Sequence, residues 1–309
     1  MAFDPGVRPS VARHVLLAGV VLGAGCRPAV VPAPPGEEPT PPRVVKRAAP
    51  PAARQGLLGE MCPQAAAGRP GLSPLVVRRV SWSSDRAEVL TPLSRGEAAQ
   101  FAVLAVDGRR AGVFAPVGTA DTDGVEVAVG SYVGAPPCST LKGKEVVADP
   151  TCLKVQRGCG LAVAPLSEPG SAFDSEGAAA PEVAVGGVCA SGDRLVIDLE
   201  HDGAPEVFPL AAFVDAVRAP AEEVTAAAVA VTCTPTFALA GLTPALQGVG
   251  LDARHKLELD VLGVLDVDGD GRNEVVIAFR YPDKRTVAVY SAIESPARLE
   301  LVGEMVPWP

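Results

Sequence analysis

The sequence predicts a mainly β domain with one or two helices, built from antiparallel meanders. Three observations carry that expectation. From about residue 72, short runs rich in Val, Ile and Thr alternate with turn residues. Gly 32 and Pro 31 together make about a fifth of the 309 residues, which suits a chain with many reversals. Four consecutive β-type runs then close the chain. Hydrophobic residues reach 48% while aromatics are only 4%, so the core must be built from Val, Leu and Ala.

The elements follow in order. LVVRRVSW (75–82) is β-branched and reads as a strand. FAVLAV (101–106) and AGVFAPV (111–117) flank a turn at Asp107-Gly108 and read as a hairpin. VEVAVGSYV (125–133), EVAVGGVCA (182–190) and RLVIDLE (194–200) are further strands. In PLAAFVDAVRA (209–219), Leu210, Phe213, Val214 and Val217 recur at three-to-four spacing, which predicts a helix. VTAAAVAVTC (224–233) leans to strand through its Val and Thr content. HKLELDVLGVLDV (255–267), EVVIAFRY (274–281), TVAVYSAI (286–293) and RLELVGEMV (298–306) are joined by short turns, one of them at Pro282-Asp283. They predict a four-strand, blade-like meander.

The turn between the first two of these runs reads DVDGDGRNE. Asp266, Asp268 and Asp270 stand at positions 1, 3 and 5, with Glu274 at position 9. Gly269 and Gly271 permit tight curvature. Arg272, at position 7, offers its carbonyl. So many carboxylates repel one another unless a cation sits among them, and a hard cation such as Ca2+ takes six to eight oxygens. An EF-hand needs Glu at position 12 and a helix after it, whereas position 12 here is Ile277 in a β-branched run. A worn copy, DLEHDGAPE, begins at Asp198 as the later loop begins at Asp266, with Asp198, Glu200, Asp202 and Glu206 at the matching places. There His201 replaces a glycine, so weaker ion binding is expected. DTDGVEVAV (121–129) lacks two residues of the loop and reads as a plain acidic turn.

The motif D-x-D-x-D-G-x-x-[DE] followed by a hydrophobic strand resembles the calcium loops of FG-GAP and VCBS repeats, as in integrin-like β-propellers. The specific likeness covers about 14 residues, and the surrounding meander extends it to 255–306. The resemblance implies structural calcium that links neighbouring strands of a blade. A complete propeller needs at least four blades. One unit is clear and a second is partial, so a partial or degenerate propeller and an irregular β-rich domain both stay open.

The N-terminus reads as an address. Arg8 and Arg13 precede the apolar run Val15 to Leu22, and Gly23, Ala24 and Gly25 precede Cys26. This is a signal-peptide layout too short to span a membrane. Cys26 after small residues resembles a bacterial lipobox. That resemblance implies lipidation of Cys26 and, because Arg27 rather than Asp follows, an outer-membrane destination. Residues 27–55 hold nine prolines and almost no large apolar side chains, as a spacer would. The expected organisation is 1–25 signal peptide, 26–59 lipidated cysteine and tether, 60–190 a disulfide-containing β region, and 191–309 the calcium-loop region. The six remaining cysteines (Cys62, Cys138, Cys152, Cys159, Cys189 and Cys233) lack metal-type spacing and suggest up to three disulfides with 15 pairings open.

With a formal charge of −9 and no Lys/Arg-rich run, nucleic acid is not expected as a partner. The histidines His14, His201 and His255 are thin material for acid–base chemistry. No G-x-S-x-G, H-E-x-x-H, S-x-x-K or phosphate-loop motif occurs. The expected function is a non-catalytic, calcium-stabilised envelope lipoprotein that binds a protein or glycan, adheres, or scaffolds. The alternative is an exported hydrolase using a carboxylate pair.

Overall fold

A computed structural model of the chain describes residues 54–305, apart from 67, 123, 151, 154–156, 168–181, 219–222, 230–232, 234, 236–257, 282–283 and 294–297. The expected signal peptide, the lipidation site Cys26, the tether up to residue 53, His255 and the 282–283 turn lie outside the described residues. The elements are β1 (Gly56–Ala66), β2 (Arg69–Arg78), β3 (Trp82–Ser83), α1 (Arg86–Ser94), β4 (Phe101–Leu104), β5 (Arg110–Thr122), β6 (Val125–Gly134), β7 (Ser139–Lys142), β8 (Glu145–Ala148) and β9 (Gly160–Pro165). They continue with β10 (Ala184–Val185), β11 (Val188–Ser191), β12 (Arg194–Ile197), β13 (Glu206–Pro209), α2 (Leu210–Arg218), β14 (Glu223–Thr225), β15 (Glu258–Asp266), β16 (Glu274–Arg280), β17 (Arg285–Ile293) and β18 (Arg298–Met305).

The first half closes on itself. Its strands pair antiparallel in the order β1-β9-β4-β5-β6-β2, and β2 returns to β1, giving a six-stranded barrel. Alternate side chains point inward, so Leu57, Met61, Leu72, Val77, Phe101, Val103 and Phe114 fill the interior. Phe101 and Phe114 meet edge-on at 6.2 Å. The hairpin expected about Asp107-Gly108 is β4–β5, with Gly108 at φ +80°.

The second half is an open six-stranded sheet in the order β10-β15-β16-β17-β18-β14. The expected four-strand meander is its centre, β15 to β18. Both faces of this sheet are buried, which explains the near-continuous apolar run of β16. Val276 and Ala278 pack toward the barrel with Leu58, Val76, Leu161 and Val163. Val275, Ile277 and Phe279 pack on the other face with Phe208, Phe213 and Tyr290. That face is covered by α2 and a three-stranded sheet, β11-β12-β13. The Tyr290 hydroxyl donates to the Phe213 carbonyl at 3.0 Å. A bidentate pair, Arg285 to Glu60 at 2.7 Å on each arm, joins the sheet to the barrel in a nearly dry interface.

Several expectations need correction. The described strands form a barrel and an open sheet rather than a ring of four-stranded blades, and β10 and β14 flank the meander. β1 begins at Gly56, inside the stretch read as tether. The run 75–82 spans two strands: β2 starts earlier, at Arg69, and ends at Arg78, and β3 begins at Trp82 after a turn in which the Arg79 N–H donates to the Ser81 carbonyl. The run 182–190 splits at Gly186-Gly187: β10 joins the large sheet and β11 the small one. A Cβ on Gly186 would lie 2.4 Å from Asn273 Nδ2, so the crossing needs glycine. Of 224–233, Val224 and Thr225, the end of β14, are the only strand among the described residues. The six cysteines form three disulfides, Cys62–Cys159, Cys138–Cys152 and Cys189–Cys233.

Candidate metal centre

Strand β15 delivers Asp266 at its end and β16 opens on Glu274, with Leu265 paired to Glu274. Between them the chain must reverse tightly, and Gly269 (φ +70°) and Gly271 (φ +86°) supply the left-handed steps. The aspartates organise the turn. Asp266 accepts from the Gly269 N–H at 2.6 Å and from the Gly271 N–H at 3.0 Å. Asp268 accepts from the Asp270 N–H at 3.2 Å, and Asp270 from the Arg272 N–H at 2.8 Å. Glu274 is buried, accepting from the Val267 N–H at 2.8 Å and the Ser291 hydroxyl at 3.0 Å.

Asp266, Asp268 and Glu274 converge, each offering an oxygen within 4.8 Å of the others. They are the one such acidic group among the described residues. Asp270 and Arg272 stand outside this trio; the Arg272 side chain turns toward Glu200, 4.0 Å away. Burial, reinforced by the Asp270 charge, pushes Asp268 up to about 6. Burial raises Asp270 as well, with the Asp266 charge acting the same way. Burial lifts Glu274 well above the ordinary carboxylate range, and the Val267 N–H offsets only part of that. Crowded, partly dried hard oxygens whose ionised forms are disfavoured suit a hard cation. Part of the counter-charge is already present: Arg78, from barrel strand β2, places Nε 3.3 Å from Asp268 Oδ2.

The loop at 198–206 has the same construction. Asp198 accepts from the Gly203 N–H at 3.0 Å, Asp202 from the Ala204 N–H at 2.9 Å, and Glu206 from the Leu199 N–H at 3.0 Å. Each bond repeats one in the later loop, where Asp266 holds Gly271, Asp270 holds Arg272 and Glu274 holds Val267. The strand register repeats too, since Ile197 pairs with Glu206 as Leu265 pairs with Glu274. Gly203 is left-handed (φ +78°), and so is His201 (φ +52°) at the place of Gly269. The carboxylates do not converge: Asp198, Glu200, Asp202 and Glu206 form no such group. Burial raises Glu206, with the Leu199 N–H opposing.

The two loops touch. The Asn273 N–H donates to the Leu199 carbonyl at 2.9 Å and its Nδ2 to the Asp198 carbonyl at 2.8 Å. Sequence reasoning passed over Asn273 and Arg78. Asn273 is the chain's one asparagine and sits inside the motif, so a signal existed. Arg78 carries none, because it stands in a different part of the chain from its partner Asp268. Comparison with protein-family models, characterised proteins and solved structures gives no match.

Proposed function

We propose that the chain is an exported, non-catalytic lipoprotein of the bacterial envelope, anchored through Cys26, whose β-rich domain is stabilised by calcium and serves binding or scaffolding. The observation that carries the reading is the convergence of Asp266, Asp268 and Glu274 at a strand junction. The loop motif adds Asp270 and the Arg272 carbonyl as the candidates to complete the shell. Calcium there would neutralise carboxylates that burial leaves costly to ionise, tying β15 to β16. The repeated register and turn bonds of the 198–206 loop support descent from one FG-GAP/VCBS-like unit. Three disulfides support an oxidising compartment.

The test is thermal melting of the EDTA-treated full chain with and without calcium, alongside Asp268→Ala/Asp270→Ala. A calcium-dependent rise lost in the variant is expected. No rise in the native chain counts against the site. Labelled-palmitate incorporation, lost in Cys26→Ser, tests the anchor separately.

A further inference from the structure

The acidic loop lies where the chain enters the barrel. The Arg54 N–H donates to the Asp268 carbonyl at 2.7 Å. Two residues on, Gly56 opens β1 so close to the loop that a Cβ there would lie 2.8 Å from the Val267 carbonyl oxygen. The residue paired with Gly56 on β2 is Arg78, whose guanidinium reaches Asp268. Two adjacent barrel strands are thus gripped at one end by Val267 and Asp268, which belong to the far half of the sequence. On its other side the start of β1 is closed by β9, where the Leu166 N–H donates to the Gln55 carbonyl at 3.0 Å. Strand ends fray at low free energy unless their outermost bonds hold, and among the described residues the outermost one here is Arg54 to Asp268.

We propose that the 266–274 loop is a latch on the start of β1: while its turn is intact it holds Arg54 to Leu58 in the barrel, and when the turn opens this end of β1 is released. Any pull or protease acting through the residues before Arg54 meets this latch first. The latch depends on Asp266, which closes the turn, and on Arg78, which ties β2 to the same loop. It goes beyond the calcium reading, and its test runs in EDTA so that the two fail separately.

The experiment is hydrogen exchange of the full oxidised chain, comparing amides 54–58 with amides 101–104 of the central strand β4. In Asp266→Ala the 54–58 amides exchange about tenfold faster or more, while those of 101–104 change by less than about threefold. Arg78→Met gives a smaller rise confined to the same segment, and carries the test if Asp266→Ala does not fold. Unchanged exchange at 54–58 in both variants overturns the latch. So does a rise that 101–104 matches, since that is global loosening.

Discussion

The loops at 198–206 and 266–274 share a register, a turn and three hydrogen bonds from backbone N–H to carboxylate, yet only the later one gathers its carboxylates. The difference lies in what surrounds them. The later loop sits between a sheet buried on both faces and the barrel, which contributes Arg78 and the Arg54 N–H. The earlier loop leaves residues 201–204 exposed at the rim of a three-stranded sheet. Water solvates charges there, so nothing selects a compact carboxylate cluster. The turn is local chemistry and appears in both loops, whereas gathering three carboxylates needs a dry neighbour and occurs in one.

The largest expected effect concerns how each loop's sheet is held. Cys189–Cys233 closes 44 residues onto β11, in the sheet that carries the earlier loop. Replacing both cysteines by serine should cost about 4 kcal/mol by the chain-entropy model. Denaturant unfolding measures the cost, and hydrogen exchange should show 198–206 loosening before 266–274. Equal loosening would mean the staple serves both loops alike.

Calcium comes next. At about a hundredfold over Kd it should stabilise the native chain by about 2.7 kcal/mol. Asp268→Ala/Asp270→Ala should abolish the gain, whereas Asp198→Ala/Asp202→Ala should keep most of it. A larger loss from the 198/202 pair would reverse the comparison. The pH dependence has a definite sign. Asp268, at about 6, and Glu274 are raised when folded, so the folded calcium-free chain holds more protons than the unfolded one around that pH. Calcium-free stability should therefore rise as pH falls through about 6, while calcium affinity drops. Melting curves in EDTA and in calcium across that window check both directions.

Asn273→Ala removes the side-chain bridge between the loops and leaves the part-buried Asp198 carbonyl without that donor. The expected loss is roughly 1–2 kcal/mol by chemical unfolding, with faster exchange in 198–203. No change in either measurement would show that the loops merely adjoin. The smallest effect is conformational. His201→Gly should stabilise the chain by about 0.5–1 kcal/mol by relieving a left-handed histidine, offset partly by unfolded-state entropy. The reciprocal Gly269→His should destabilise by a similar amount, since it puts a side chain on a left-handed residue at φ +70°.

Much was legible where the cause is local. Helix α2 followed from Leu210, Phe213 and Val214, all buried. The β15–β18 meander and the β4–β5 hairpin followed from apolar, β-branched runs and the turn residues between them. Helix α1 was missed although Asp85 caps it, accepting from the Ala87 and Glu88 N–H groups. Its polar start and the internal Pro92 masked that signal. Strand β1 was hidden because the neighbouring Pro-rich composition reads as tether, and of its two partners only β2 is near in sequence while β9 closes the barrel from its far end.

The sequence by itself determined the β character, the acidic turn and its echo, since side-chain alternation, glycine conformations and Asp-to-backbone bonds act within a few residues. Tertiary structure alone decided that six strands close into a barrel, which cysteines pair, and which acidic loop draws its carboxylates together. Those outcomes rest on distant parts of the chain meeting: β1 with β9, Cys62 with Cys159, and Arg78 with Asp268. No local pattern encodes such encounters, because they exist only once the barrel and the sheet have packed.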